Sequence, residues 1–358
     1  MKSITLLSLL PALIGASSLP QLQARDCNHD NCLRAMIQSA SGFCSSYTAT
    51  PTSTSLPTWA SACTAPDTTS QILSGCACLA TSTSTPTSTP ACTSSAPTSI
   101  PTIWLAGDST EAPGGGHNGT EGWGQYLHYS FPENVAFVNN SAYAGRSARS
   151  FTREGRFEAI AEAVHPGDWV IIEFGHNDGG SPYPAANDNG RADCPGAGNE
   201  TCPTVYENVT EIVQTYPTYL KDASEMYLAK GAKVILSSPT PDNPWETGTY
   251  TYNPDRFTYF SWLSVTELGG PSAGVYFVPH GQYAAQAMKN LGPEIVDANY
   301  PMDHTHTAPY LADIVAQSFV LGLKCGTSPL LDLVSNATAR LEGPVLGTCI
   351  LANATLPV

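Results

Sequence analysis

Short apolar runs alternate with longer amphipathic segments from residue 102 onward. Nearly every residue of these runs is apolar. Such sequences are typical of strands that are buried on both faces of a sheet. The strands predicted on this basis are Thr102–Ala106, Val135–Asn139, Trp169–Phe174, Lys233–Ser237 and Val275–Val278.

The segments between these runs have helical periodicity. In Phe157–Val164, for example, apolar residues recur at steps of three and four. Strands that alternate with helices predict the α/β class, with a parallel sheet between two layers of helices. The predicted helices are Gly124–Phe131, Arg149–His165, Ser224–Gly231, Asp255–Leu268, Tyr283–Leu291 and Tyr310–Leu323.

The chain before this α/β region has a different composition. Residues 1–18 combine Lys2, an apolar stretch and small residues, which is typical of a secretory signal peptide. Residues 19–80 carry six cysteines and predict a small disulfide-rich module whose connectivity stays open. Residues 81–100 are a Ser/Thr/Pro linker that contains the unassigned Cys92. We therefore expect four parts: a signal peptide, a module, a linker and a main domain over 101–358.

Eleven cysteines in all agree with secretion, because disulfides persist in oxidising surroundings. In the main domain, the simplest pairing is local, Cys194 with Cys202 and Cys325 with Cys349. Six sequons are present, and we expect the one at Asn139 to stay unglycosylated because it adjoins a proposed site loop. The glycosylation candidates are Asn118, Asn199, Asn208, Asn336 and Asn353.

A formal net charge of −15 argues against nucleic acids and anionic membranes as partners. No segment after the signal peptide is long and apolar enough to span a bilayer, so we expect a secreted, soluble protein. We also expect it to be a monomer. A polyanionic substrate would need a local basic patch, for which the candidates are Arg146, Arg149, Arg153 and Arg156.

Four short motifs carry candidate chemistry. Three of them follow predicted strands, and the carboxyl ends of parallel strands converge on one crevice. The fourth lies near the end of the chain. The motifs are Gly107-Asp108-Ser109-Thr110, Gly145-Arg146-Ser147, Gly175-His176-Asn177-Asp178 and Asp303-His304-Thr305-His306.

Together these motifs contain the parts of an acyl-transfer site. Ser109, at the start of the region after the first strand, is the candidate nucleophile, although a serine there would also suit a helix N-cap. His306 is the candidate base, and one helical turn would bring Asp303 to its ring. The Ser109 amide, the Gly145 amide and the Asn177 side chain are candidate oxyanion donors.

Alternatives exist for two of these assignments. His304 with Asp303 and His306 could bind a metal, or His304 could be the base, and we favour His306 as the base with no metal and no cofactor. Ser147 is a rival nucleophile, but Arg149 stands where a hydrolase elbow needs glycine.

The motifs resemble the SGNH, or GDSL, hydrolase superfamily, through Ser109, Gly145, Asn177 and His306. Longer stretches resemble the fungal rhamnogalacturonan acetylesterase family over residues 101–350. These stretches are Leu105–Thr110, Gly122–Gln125, Ala144–Ser150, Glu173–Gly180, Asn243–Gly248 and Asp303–Thr307.

The resemblance implies a flavodoxin-like three-layer domain with a five-stranded parallel sheet. It also implies removal of acetyl groups from pectic rhamnogalacturonan through an acetyl-serine, without metal or cofactor. The loop after Thr110, which contains His117, departs from the family pattern beside the candidate nucleophile. An acetylesterase on another polysaccharide or a small ester is the first alternative. A cell-wall binding protein with an inactive hydrolase domain is the second.

Overall fold

The computed structural model describes residues 100–335 and 343–350, all within the second of two compact units, Ser95–Val358. The predictions that lie outside the described residues are the signal peptide, the cysteine-rich module, nearly all of the linker, and the sequons at Asn336 and Asn353.

Five parallel strands form the central sheet, which confirms the predicted class. Its order is β2-β1-β3-β6-β7, and every neighbouring pair is parallel. β4 and β5 form a separate antiparallel pair. The strands are β1 (Thr102–Gly107), β2 (Phe137–Asn140), β3 (Trp169–Glu173), β4 (Thr201–Tyr206), β5 (Val209–Gln214), β6 (Lys233–Ser237) and β7 (Val275–Val278).

Helices cover both faces of the sheet and complete three layers. The first four pack on one face, and the last three pack on the other. In chain order they are α1 (Ala148–Arg153), α2 (Arg156–Ala163), α3 (Tyr216–Ala229), α4 (Arg256–Glu267), α5 (His280–Leu291), α6 (Pro293–Ala298) and α7 (Pro309–Cys325). Within the described residues, no helix has both the length and the apolar character needed to cross a bilayer.

The central strand β3 shows why its sequence is apolar throughout. Ile171 faces the layer of α5 and α7, whereas Val170 and Ile172 face the layer of α1 to α4. All three side chains are buried, since successive residues of a strand point to opposite faces. A strand covered on both sides therefore lacks the polar alternation of a half-exposed strand.

Two predicted helices are wrong in form. The segment Arg149–His165 is divided into α1 and α2 at Gly155, whose φ of 69° interrupts a right-handed helix. The segment Gly124–Phe131 contains two short 3₁₀ turns, Trp123–Gln125 and Leu127–Ser130. The apolar spacing correctly marks buried side chains in both segments, but it does not define the backbone between them.

Other elements begin earlier than predicted or are absent from the prediction. Helix α3 starts at Tyr216, where the Thr215 side chain caps the helix and Pro217 stands in its first turn. The β4–β5 hairpin was not predicted, because its apolar residues Val205, Val209 and Ile212 point into solvent.

Among the described residues there are two disulfides, and they join the local pairs that the sequence predicts. Cys194 bonds Cys202 at the base of the β4–β5 hairpin, with the two Cα atoms 5.3 Å apart. Cys325, the last residue of α7, bonds Cys349 over 5.4 Å between Cα atoms.

Candidate active site

A tight turn at the end of β1 presents Ser109. The amides of Glu111 and Ala112 donate to the Asp108 carbonyl, and the Asp108 carboxylate accepts both the amide and the hydroxyl of Thr110. The sequence suggested the start of a helix here, which is wrong, because Asp108 closes the backbone into successive turns. Ser109 therefore lies at the carboxyl ends of β1 and β3, a position called the β1/β3 edge below. The order of the strands changes direction between these two strands, and open parallel sheets bind ligands at such a point.

Ser109, His306 and Asp303 form a continuous hydrogen-bonded chain. Ser109 Oγ lies 2.8 Å from His306 Nε2, although 197 positions separate the two residues. His306 Nδ1 lies 2.7 Å from Asp303 Oδ2. Because a carboxylate accepts the Nδ1 proton, Nε2 has a lone pair available for the serine hydroxyl. Ser109 is 6% exposed, so the hydroxyl is sheltered but reachable.

Asp303 reaches the imidazole through an Asx turn, in which its own side chain accepts backbone amides that follow it. The predicted helical turn is therefore wrong. Asp303 Oδ1 accepts the amides of Thr305 and His306, each at 2.8 Å. Partial burial opposes ionisation, but the His306 ring and these two amides outweigh it and lower the pKa of Asp303 to about 2. The carboxylate is therefore charged throughout the physiological pH range and can stabilise an imidazolium.

The loop after β2 carries Gly145 toward the same edge. The Tyr143 amide donates to the Gly107 carbonyl, and the Arg146 amide donates to the Tyr143 carbonyl. Gly145 has a φ of 75°, a conformation that favours glycine. Within the described residues, the amides of Ser109 and Gly145 donate to no protein acceptor, which leaves both available to an oxyanion.

Asn177, in the loop after β3, is held from two sides. Its Nδ2 donates to the Arg146 carbonyl at 3.1 Å, and its Oδ1 accepts from Arg191 Nη1 at 2.9 Å. An amide nitrogen carries two protons, so one remains for a third partner. Sequence reasoning missed Arg191, which lies in an irregular loop that has no pattern of its own.

The rival assignments find other partners. Ser147 is fully buried and caps α1 by accepting the amide of Ser150, so its oxygen faces no cleft. His304 contacts Glu246 at 3.2 Å and is half exposed. No group of three or more His, Cys, Asp or Glu within residues 100–335 and 343–350 has a geometry that could hold a metal ion.

Comparison with known proteins settles the family. The GDSL-like Lipase/Acylhydrolase family matches residues 105–291. The rhamnogalacturonan acetylesterase of Emericella nidulans is 48% identical over 234 residues, which is 65% of this chain and 89% of that enzyme. The chain belongs to the GDSL-like lipase/acylhydrolase family.

Two further comparisons involve Bacillus subtilis proteins. The probable rhamnogalacturonan acetylesterase YesY is 33% identical over 41% of this chain and 58% of its own length. A crystal structure of the protein YxiM covers 64% of this chain and 57% of its own, with 24% identity and a TM-score of 0.49. The acetylesterase relatives are carboxylic ester hydrolases, and this GDSL-family chain is an enzyme of that class.

A glycine-rich loop covers the His306 imidazole of this GDSL enzyme. The Gly114 amide donates to Glu121 Oε1 at 2.5 Å, and the Glu121 amide donates to the Thr307 carbonyl at 2.8 Å. A second loop holds the segment that bears His306, since the Asn243 amide donates to the His304 carbonyl at 2.6 Å. The segment that bears His306 is thus fixed by backbone bonds to two neighbouring loops.

Gly116 lies directly against the His306 ring. A Cβ at this position would stand 2.6 Å from both Cγ and Nδ1 of the imidazole, closer than real Cβ contacts allow. We expect Gly116→Ala to displace the ring and lower kcat by about tenfold or more, since misplacement by about 1 Å is costly in catalysis.

Steady-state hydrolysis of p-nitrophenyl acetate measures this effect. Gly179→Ala is the matched control, because its added methyl group meets only Arg256, at 3.9 Å. Equal kcat values for the two variants would show that the ring tolerates the intrusion and would contradict the prediction.

A buried polar network lies behind the site. Glu173, at the end of β3, accepts hydrogen bonds from Trp123 Nε1 at 2.9 Å and Ser237 Oγ at 2.5 Å, and its Oε2 lies 2.7 Å from His280 Nδ1. The Glu111 carboxyl lies against the Cα of Gly107, where no side chain would fit. These hydrogen bonds join β3 to β6, to α5 and to the 3₁₀ turn at Trp123.

Burial raises the pKa values of several carboxyl groups near the site. Burial, reinforced by Glu173 and Asp108, raises the pKa of Glu111 well above its usual range. Burial likewise raises the pKa of Asp178 to about 8 and raises that of Asp193. The nearby Asp178 carboxylate adds to burial in raising the pKa of Asp193.

These groups make stability pH-dependent, with a definite sign. A carboxyl with a raised folded pKa keeps a proton that the unfolded chain releases above about pH 4. We therefore expect the free energy of unfolding to fall as pH rises from about 4 to about 8, by about 1.4 kcal/mol per pH unit for each retained proton.

Thermal melting between pH 4.5 and 7.5 measures this slope. Asp193→Asn removes one buried carboxyl and is expected to flatten the dependence. Glu225→Gln, which changes an exposed carboxylate of α3, controls for the loss of one charge. A melting temperature that rises over this interval would refute the prediction.

The expected basic patch is absent from its predicted position. Arg149 is fully buried between Asp188 and Glu211, at 2.8 and 2.7 Å. The other three candidates also pair with carboxylates: Arg146 and Arg156 with Glu154, and Arg153 with Glu211. The four arginines organise loops, and their charges are already balanced within the protein.

The glycosylation sequons remain predictions. Asn118, Asn199 and Asn208 are exposed, so glycans could reach them, and Asn139 is exposed as well.

Proposed function

We propose that this GDSL-family enzyme is a secreted serine esterase that removes acetyl groups from rhamnogalacturonan through an acetyl-serine intermediate. The observation that carries the proposal is the hydrogen-bonded chain Ser109–His306–Asp303 at the β1/β3 edge. The 48% identity to a rhamnogalacturonan acetylesterase supports the choice of substrate.

In the first half of the reaction, Ser109 attacks the acetyl carbonyl. His306 Nε2 takes the hydroxyl proton as the new C–O bond forms, and Asp303 stabilises the resulting imidazolium. The carbonyl oxygen becomes an oxyanion that the amides of Ser109 and Gly145 and the Asn177 side chain would bind. The tetrahedral intermediate then expels the sugar oxygen, which receives the proton from His306.

In the second half, water replaces the sugar. His306 removes a proton from water as its oxygen attacks the acetyl-serine carbonyl, and the same three donors bind the second oxyanion. Collapse breaks the ester to Ser109, which regains its proton from His306. Acetate leaves, and the enzyme returns to its starting state.

A polar cleft beside Asn177 suits a carbohydrate. The cavity has a volume of about 220 Å³ and is lined by His176, Asp242, Tyr252 and neighbouring residues. Hydroxyl, amide and carboxylate groups of this kind match the hydrogen-bonding capacity of a sugar. The cleft supports a substrate that is a polysaccharide in preference to a lipid chain.

Acetate release from a panel of polymers tests the proposal. We expect a higher kcat/KM on acetylated rhamnogalacturonan than on acetylated xylan or acetylated homogalacturonan at equal acetyl content. Ser109→Ala prepared in parallel controls for contaminating esterases. A preference for xylan would reassign the substrate, and inertness toward every polymer and toward p-nitrophenyl acetate would favour a binding protein.

Secretion is part of the proposal. The apolar segment at residues 1–18, the net charge of −15 and the disulfides at Cys194–Cys202 and Cys325–Cys349 support it. Expression with and without residues 1–18, followed by assay of the culture medium, tests it. Activity that stays inside the cell with the full chain would contradict it.

A further inference from the structure

Arg191 places a guanidinium beside Asn177 without a carboxylate partner among the described residues. Four other arginines behave differently, since each of them forms an ion pair. Those arginines are Arg146, Arg149, Arg153 and Arg156. The charge of Arg191 is therefore available at the proposed oxyanion hole of a chain whose net charge is −15.

Most hydrogen-bond donors of Arg191 are also available. A guanidinium has five N–H donors in a rigid fork. Within the part of the chain that the structure describes, one of them donates to protein, from Nη1 to Asn177 Oδ1 at 2.9 Å. The edge formed by Nε and Nη2 remains, and such an edge matches the two oxygens of a carboxylate.

The backbone at Arg191 is fixed before any ligand arrives. The Asn189 side chain accepts the amides of Arg191 and Ala192 at 2.9 and 3.0 Å. The Ala192 carbonyl accepts from the buried Arg149 at 2.9 Å. Arg191 itself is partly exposed. A half-exposed cation on a fixed backbone is suited to recognising a ligand with little loss of entropy on binding.

Resting on the function proposed above, we propose that Arg191 selects an acidic sugar. One N–H group orients the Asn177 amide, and the Nε–Nη2 edge pairs with the carboxylate of a uronic acid residue next to the ester. Arg191 thereby supplies the local positive charge that a polyanionic substrate requires of an acidic enzyme, in place of the four arginines of the sequence-based expectation.

The test compares a polymer with free carboxylates and the same polymer with those carboxylates neutralised as methyl esters. Acetate release is measured on acetylated rhamnogalacturonan and on the same polymer with its carboxyl groups methyl-esterified, with p-nitrophenyl acetate as a small neutral ester. The variants are Arg191→Gln, which removes the charge, and Arg191→Lys, which keeps the charge without the fork. Lys230→Gln, an exposed change at the end of α3, controls for the loss of one positive charge.

For the wild type we expect a higher kcat/KM on the acidic polymer than on the methyl-esterified one. Arg191→Gln is expected to lower kcat/KM on the acidic polymer by about 10–100-fold, mainly through KM, and to abolish the preference between polymers. Arg191→Lys is expected to lie between wild type and Arg191→Gln. The preference of the wild type should also weaken in high salt.

Three results would overturn the inference. In the first, Arg191→Gln lowers kcat equally on all three substrates, which would make Arg191 a positioning residue for Asn177 alone. In the second, Arg191→Gln keeps the wild-type preference for the acidic polymer. In either case the wild type still releases acetate from rhamnogalacturonan, so the proposed function survives. In the third, the wild type is inactive on both polymers, and both proposals fall together.

Discussion

Ser109→Ala is expected to lower kcat for acetate release by on the order of 10⁴-fold or more, because the change removes the oxygen that would form the acyl-enzyme. Its hydroxyl is the one that meets His306 Nε2, at 2.8 Å. The variant should keep its melting temperature to within a few degrees, because a single Oγ atom is lost from a turn fixed by Asp108.

Ser147→Ala is the control for this experiment. Ser147 is the rival nucleophile of the sequence, but in the structure it caps α1. Its alanine variant should stay active and lose about 1 kcal/mol of stability. A slow Ser147→Ala variant with a fully active Ser109→Ala variant would reverse the assignment. Mass spectrometry of the wild type, quenched during turnover of p-nitrophenyl acetate, should locate the acetyl group on the peptide that contains Ser109.

Asp303→Asn is expected to lower kcat by on the order of 10³–10⁴-fold without disturbing the fold. Asp303 Oδ1 accepts hydrogen bonds from two backbone amides, so the oxygen of the asparagine side chain must occupy this position in the variant. The new NH₂ group then faces His306 Nδ1, where Oδ2 stood at 2.7 Å. Because this group can only donate, the imidazole must carry its proton on Nε2, which can no longer accept from Ser109.

The measurement is kcat on p-nitrophenyl acetate, which needs no contact with a polymer. His304→Ala serves as the control, since His304 contacts Glu246 and is half exposed. It is expected to retain kcat close to wild type. If His304→Ala were inactive and Asp303→Asn active, His304 would be the base, as the alternative interpretation of the motif holds.

The sheet and the positions of the site loops were predictable from the sequence. Buried strands such as Trp169–Glu173 are apolar on both faces, and this property is visible without the fold. Ser109 and Asn177 follow such strands, and Gly145 follows the partly exposed strand β2, so topology brings all three to the carboxyl edge of the sheet. His306 is different, because no local pattern connects it to β1, and its assignment depended on the chemistry that a serine nucleophile requires.

What the sequence could not predict depends on long-range pairing. Arg149 looks like a surface residue until Asp188 and Glu211, 39 and 62 positions away, surround it. The position of Arg191 beside Asn177 depends on how an irregular loop packs on α1. Asp303 reaches His306 through an Asx turn, and a spacing of three cannot distinguish this turn from one turn of helix.

The segment that bears His306 bonds through its backbone to the Gly114–Glu121 loop on one side and to Asn243 on the other. These bonds leave little for a substrate to rearrange, because Ser109, His306 and Asp303 are already hydrogen-bonded to one another in the folded chain. The conformational entropy of assembling them is lost once, when the chain folds, and is not lost again at each turnover.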